Sequence, residues 1–191
     1  ADVVTEADLP STICRHRMKP FQAFRIFKEG DQVSGRVVET TLDDLTPGDV
    51  VIKAAYSSVN YKDALAATTP RIIRSFPRIG GIDAAGTVVS SADARFKEGD
   101  EVIATSYEIG VGNDGGYAEY MRVPGDWVVP LPAGLTQFES MALGTAGFTA
   151  ALAIIRLEHN GLRPGHGPVA VTGAIQSLRM ALPPVESSPL R

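Results

Sequence analysis

Between Phe21 and Pro132 the chain is a succession of short β-branched runs, each closed by a glycine or aspartate turn. This pattern limits the choice of fold more than any other feature. The runs are Phe21–Phe27, Val33–Thr40, Val50–Ser58, Ala84–Ser90, Glu101–Ser106, Tyr117–Val123 and Trp127–Val129. The turn signals between them include Glu29-Gly30-Asp31, Thr46-Pro47-Gly48-Asp49, Lys97-Glu98-Gly99-Asp100 and Asn113-Asp114-Gly115-Gly116. Asp49, Asp100 and Asp126 read as turn formers, because Asx side chains bond their own backbone. Many short strands at this spacing predict a barrel or a sandwich rather than a parallel sheet.

Helical patterning then takes over. Thr136-Gln137-Phe138-Glu139 is a capping box, with Thr136 as N-cap and Glu139 placed to return the bond. From Gly147 to Asn160, Phe148, Leu152 and Ile155 share one helical face, and Gly161 supplies a left-handed stop. A Pro/Gly loop leads into Val169-Ala170-Val171-Thr172-Gly173-Ala174, which reads as a buried strand running into a glycine turn. The glycine-rich turn does not follow. The residues after Ala174 are Ile175-Gln176-Ser177-Leu178-Arg179 and then a proline- and serine-rich stretch to Arg191. The expected organisation is a disordered extension over 1–20, a β module over 21–132, the start of a second domain over 133–174, and a disordered tail over 175–191. The first methionine is Met18, and the leading residues are expected to be upstream read-through or the remnant of a longer precursor.

Composition narrows the function classes. A net charge of −4 over 191 residues argues against nucleic acid or an anionic membrane as the main partner. No apolar run is expected to reach membrane-spanning length. One cysteine, Cys14, precludes an internal disulfide or a multi-cysteine metal site, and His16, His159 and His166 lack ligand spacing. Residues 1–17 have no apolar core of the secretory kind, so a cytoplasmic location is expected.

Several residues carry candidate chemistry, each beside a plainer reading. Asn60 sits where a strand gives way to a helix and suits an N-cap. Thr145-Ala146-Gly147 is either a glycine-permitted helix junction or a place where backbone approaches a flat ligand. Arg71 and Arg74 lie on one loop, either solvated or turned to a phosphate. Trp127 has the area to anchor the core.

Five segments taken in order resemble the medium-chain dehydrogenase/reductase superfamily: Asn60-Tyr61-Lys62-Asp63, Gly81 to Val89, Arg95 to Val102, Gly144 to Ala150 and Thr172-Gly173-Ala174. The resemblance covers roughly Phe21 to Ala174. It is strongest to the zinc-free acrylyl-CoA reductase and quinone oxidoreductase-like branch. It implies a GroES-like, partly open β-barrel followed by an incomplete Rossmann-type domain. It also implies NADPH-dependent reduction of an activated alkene or a quinone, with no metal. In zinc-dependent relatives a cysteine stands at Asn60 and a His-Glu pair at Ile82-Asp83, and neither an amide nor an aliphatic chain ligates zinc.

By this resemblance Asn60, Tyr61 and Asp63 are the catalytic candidates, the first two as hydrogen-bond donors. Thr145, Thr149, Thr172 and Gly173 are the cofactor-binding candidates, and Arg71 and Arg74 meet the substrate. The partners implied are a small enoyl-CoA or quinone, with a homodimer compatible with the intact family. Departures include Gly80 where relatives have proline, a loop at Ala66–Pro70 poorer in glycine and lysine, and the missing pyrophosphate turn after Ala174. The last departure implies a truncated form with little turnover by itself. Two rival readings are a non-catalytic binding module and the product of a frame or splicing error.

Overall fold

The computed structural model describes residues 19–169. Thr172, Gly173 and the expected tail therefore lie outside the described residues. Among the described residues, eight strands form two antiparallel sheets. The smaller sheet has the order β2-β1-β4, with β1 at Phe21–Glu29, β2 at Gln32–Thr40 and β4 at Arg78–Ile79. The larger has the order β7-β3-β5-β6-β8, with β3 at Val50–Tyr56, β5 at Asp83–Ser91, β6 at Glu101–Thr105, β7 at Tyr120–Val123 and β8 at Val128–Pro130. An Ala23–Ala118 bridge and a bond from Phe24 N–H to the Tyr117 carbonyl (2.8 Å) link the two sheets. The result is mainly β and barrel-like, as expected.

Alternation along the strands sends Val50, Ile52, Val88, Val102, Ala104, Met121 and Val123 into one buried cluster. A second cluster around Phe21, Leu45 and Ile79 fills the space between the sheets. Gly30 (φ 60°) makes the β1–β2 hairpin turn, a conformation that glycine adopts without a Cβ penalty.

The sequence did not announce β4. This two-residue strand is held by a buried ion pair, Arg78 Nη1 to Asp114 Oδ1 at 3.3 Å. Asp114 also accepts from the N–H groups of Ile79 (3.0 Å) and Thr46 (2.9 Å). The Asn113-Asp114-Gly115 turn is thus a buried tie between three segments. Strand ends differ from the pattern for similar reasons. β3 stops at Tyr56 because Ser57 and Ser58 turn to side-chain bonds, and Trp127 lies in a 3-10 turn at Gly125–Trp127, not in a strand. Trp127 packs half-buried against the edge of the main cluster.

Helix α1 spans Tyr61–Thr68 and helix α2 spans Gln137–His159. α2 contains both expected helices, merged across a break at Gly144 (φ 52°, ψ −161°). Gly161 (φ 94°) follows the Asn160 C-cap, as expected. The expected stripe of Phe148, Leu152 and Ile155 forms but stays exposed. α2 is also, by length and composition alone, a helix apolar enough to cross a membrane, which corrects the expectation that none reaches that length.

The capping box of α2 carries a pH prediction. Glu139 accepts from Thr136 N–H (2.9 Å) and Thr136 Oγ1 (2.8 Å), and these bonds hold its carboxyl below the usual range. A folded-state pKa below the unfolded one stabilises above the unfolded value, and that stability is lost as pH falls through the folded value. Glu139→Gln is therefore expected to lower stability modestly above about pH 6, where the ionised carboxylate acts, and so to flatten the acid-side loss. Urea melts across this range check it.

Candidate functional site

The site forms where β5 begins, between the start of α1 and the break in α2. Asp83 is its centre. Its side chain is fully buried (0% exposed) at the head of β5, flanked by Gly81, Ile82, Ala84 and Ala85. A buried carboxylate needs donors, and four reach it. Asn60 Nδ2 donates at 2.9 Å and the Thr145 N–H at 2.9 Å, while the hydroxyls of Ser58 and Thr145 make further, close bonds. Asn60 Nδ2 also lies 3.1 Å from Ser58 Oγ, so the amide nitrogen is occupied on the protein side.

Local sequence explains why these groups converge. Asn60 is extended (φ −116°, ψ 158°) and starts α1, and its N–H donates to Asp63 Oδ2 at 2.8 Å. The other Asp63 oxygen accepts the Ile82 N–H at 3.0 Å, which pins α1 to the segment entering β5. Burial pushes the Asp63 carboxyl up, opposed by the bonds from the Asn60 and Ile82 N–H groups. The Tyr117 hydroxyl donates to the Ser58 carbonyl at 3.1 Å, and burial together with the nearby Asp63 and Asp83 charges pushes it upward. Gly81 (φ 91°) lets the Tyr117 ring lie against the backbone.

On the opposite wall, Gly144 breaks α2, so that Thr145 opens a fresh helical segment with its N–H free to face Asp83. Thr149 Oγ1 donates to the Thr145 carbonyl at 2.8 Å. Ser106 Oγ lies 3.2 Å from Thr145 Oγ1.

Of the candidates from the sequence, Asn60, Asp63 and Thr145 meet at this centre. Tyr61 sits beside it on the first turn of α1, 79% exposed. Thr149 lies one turn along α2. Arg71 and Arg74 are exposed on the loop after α1, and Arg74 is paired with Glu108 at 2.8 Å. Thr172 and Gly173 lie outside the described residues. Ser58, Ser106 and Tyr117 carry no role in the sequence reading, and Asp83 enters it only as the counterpart of a zinc-relative position, although a carboxylate set among Ile82, Ala84, Ala85 and Gly86 signals a satisfied buried charge. Among the described residues no group of three or more His, Cys, Asp or Glu is arranged to hold a metal ion.

Comparison with known proteins accounts for this arrangement. Residues 46–133 match the family described as alcohol dehydrogenase GroES-like domain. The chain is 59% identical over 155 residues to the putative quinone oxidoreductase YhfP of Bacillus subtilis, covering 81% of this chain and 47% of that protein. Over the residues compared, the chain is similar to members of the medium-chain dehydrogenase/reductase superfamily.

Within this superfamily it is also 47% identical over 148 residues to the acrylyl-CoA reductase AcuI of Ruegeria pomeroyi, covering 77% of this chain and 45% of that one. The crystal structure of B. subtilis YhfP with NAD bound superposes with a TM-score of 0.76 at 58% identity, over 78% of this chain and 46% of that chain. That of YhdH from Escherichia coli K-12 with NADPH bound gives 0.73 at 46% identity, over 75% and 45%. The chain thus spans slightly less than half the length of these superfamily relatives. Within this mainly β architecture, residues 46–133 are those that match the GroES-like domain.

Proposed function

We propose that this chain is the substrate-side half of an NADPH-dependent, zinc-independent reductase of activated alkenes, such as acrylyl-CoA-type enoyl thioesters, or of quinones. The observation that carries the reading is the network on Asp83. At the positions where zinc-dependent relatives place ligands, the donor set is a neutral amide, the buried aliphatic Ile82 and a carboxylate already accepting four bonds. A zinc ion would have to displace Ser58, Asn60 and Thr145 together, so the residues do not fit one. No step is routed through a metal.

The fit to a nicotinamide is better. Ala146 and Gly147, small and only part-covered beside the break at Gly144, leave room for backbone to approach a flat ring, and Thr145 and Thr149 supply hydroxyls next to it. Thr172 and Gly173 would hold the far end of the nucleotide, as the family resemblance implies. When bound, the nicotinamide supplies the hydride. The chain's own groups then orient the acceptor and stabilise charge on its carbonyl oxygen. The exposure of Tyr61 on the first turn of α1 supports its hydroxyl as the donor to that oxygen. Asn60, held by Asp83 and Ser58, fixes the start of α1 and hence Tyr61, and Asp63 does the same through the Asn60 and Ile82 N–H groups. Arg71 and Arg74 offer guanidinium groups to a thioester's phosphates, Arg74 by exchanging Glu108 for the ligand. Acceptor carbon or oxygen gains the hydride, and a proton from solvent completes the reduction.

A chimera tests the reading: residues 1–169 joined to the remaining half of B. subtilis YhfP. It is expected to oxidise NADPH with acrylyl-CoA or a quinone as acceptor, unaffected by a chelator. Tyr61→Phe should lower turnover about ten- to a hundredfold. A folded chimera that reduces neither acceptor, or that needs added zinc, would overturn it.

A further inference from the structure

Two consecutive residues other than glycine, Ser106 (φ 64°) and Tyr107 (φ 45°), occupy the left-handed region immediately after β6. Such conformations cost energy for L residues and persist only where their surroundings hold them. The holding groups are identifiable. The Ser106 N–H donates to the Ile82 carbonyl at 2.9 Å, and the Ser106 carbonyl accepts from Ile109 N–H at 3.1 Å. The Tyr107 ring stacks on Trp127, with centroids 5.4 Å apart and planes 6° from parallel. Trp127 is itself seated against the main core cluster.

Beyond this turn, Ser106 Oγ reaches Thr145 Oγ1 at 3.2 Å, and Thr145 in turn binds Asp83 through both its N–H and its hydroxyl. The β5–β6 register pairs Asp83 with Thr105, so Ser106 is the first residue of β6 past the buried carboxylate. An ordinary extended backbone at 106–107 would continue the strand. The left-handed pair turns the chain instead, with Ser106 across from Thr145.

We propose that Tyr107 and Trp127 are positioning residues. Their stack clamps the left-handed turn so that Ser106 registers the Thr145 end of α2 on Asp83. That this matters for nicotinamide or acceptor binding rests on the function proposed above; the clamp itself does not. Neither aromatic ring bonds to Asp83 or to its four donors, so the effect is transmitted through Ser106. Tyr107 is exposed as a residue (61%) and contributes little to the core, whereas its backbone position decides where Ser106 points.

The test is amide hydrogen exchange on the full chain, with Trp127 fluorescence as a second readout, since Trp127 is the sole tryptophan. Tyr107→Gly removes the ring while glycine accepts the positive φ freely, so backbone strain is not the cause of any loss. It is expected to speed exchange of the Thr145 amide by about three- to tenfold, in keeping with the worth of one aromatic pair. The Val88 amide, deep in β5, should keep its protection. Trp127 emission should shift in the same variant. Tyr107→Phe, which keeps the ring, should restore both readouts. The proposal is overturned if Tyr107→Gly leaves Thr145 exchange unchanged, if Tyr107→Phe behaves like the glycine variant, or if Val88 and Thr145 accelerate together. None of these outcomes depends on the chain being a reductase. A failure of the chimera assay with the exchange pattern intact would sink the functional reading and leave the clamp standing.

Discussion

Asp83→Ala is expected to lower the unfolding free energy by about 3–5 kcal/mol, because it strands several buried donors at once. The carboxylate accepts from Ser58, from Asn60 and twice from Thr145, and it is fully enclosed. Truncation leaves the Asn60 amide and the Thr145 N–H facing a small polar cavity. Water entering that cavity would satisfy some of them, which keeps the expected loss below the sum of four separate bonds. Asp83→Asn separates volume from chemistry. It fills the same space but keeps only one acceptor oxygen and turns an NH2 towards donors. The cost is expected to be about 2–3 kcal/mol. Adding Ser58→Ala to Asp83→Asn removes one of the stranded donors. The pair should therefore be less harmful than the sum of the two single changes, a coupling that a double-mutant cycle measures directly. Urea unfolding of the four proteins decides it. A wild-type-like midpoint for Asp83→Ala would mean that the network contributes nothing to holding α1 and α2 against β5.

How much of this could be read beforehand follows from which interactions are local. The hairpin at Gly30, the capping box at Thr136–Glu139 and the stop at Gly161 depend on residues within a few positions of one another. Each is where the sequence pattern put it. The strand runs were legible because alternation is a local signal. By contrast, β4 exists because Asp114 is 35 residues from Ile79 and reaches its N–H, and nothing near Arg78 announces that. The site divides in the same way. Asn60 and Asp63 were visible as a helix start. Their convergence with Thr145 on Asp83 spans 62 positions in the chain and needs the closed sheet. Tyr117 and Ser106 were missed because a tyrosine at a strand start and a serine at a strand end carry no pattern of their own. The area of Trp127 marks it as a core anchor. Its ring does touch the core, but its other face meets Tyr107, a contact set by a left-handed turn that only the backbone reveals.

Gly144→Ala is expected to be about as costly as losing Asp83, roughly 3–5 kcal/mol, and for two separable reasons. The first is backbone conformation. At φ 52° and ψ −161° the residue occupies a region that is essentially reserved for glycine, and no side-chain rearrangement relieves an alanine there. The second is space. A Cβ at Gly144 would lie 2.8 Å from Ser58 Oγ and 3.1 Å from Asp83 Oδ2, inside the network itself. The two causes predict different rescues. If crowding dominates, Ser58→Gly in the alanine background removes the nearest atom and should recover most of the loss. If conformation dominates, it should recover only about 1 kcal/mol or less. The backbone argument is the stronger, because straightening α2 through residue 144 would swing the Thr145 N–H off Asp83 and join two helical segments whose separation the site requires. The expected result is therefore weak rescue, together with faster exchange of the Thr145 amide in both alanine-containing proteins. Strong rescue by Ser58→Gly would show that the break in α2 is tolerated for want of room, and that its backbone geometry is incidental to the site.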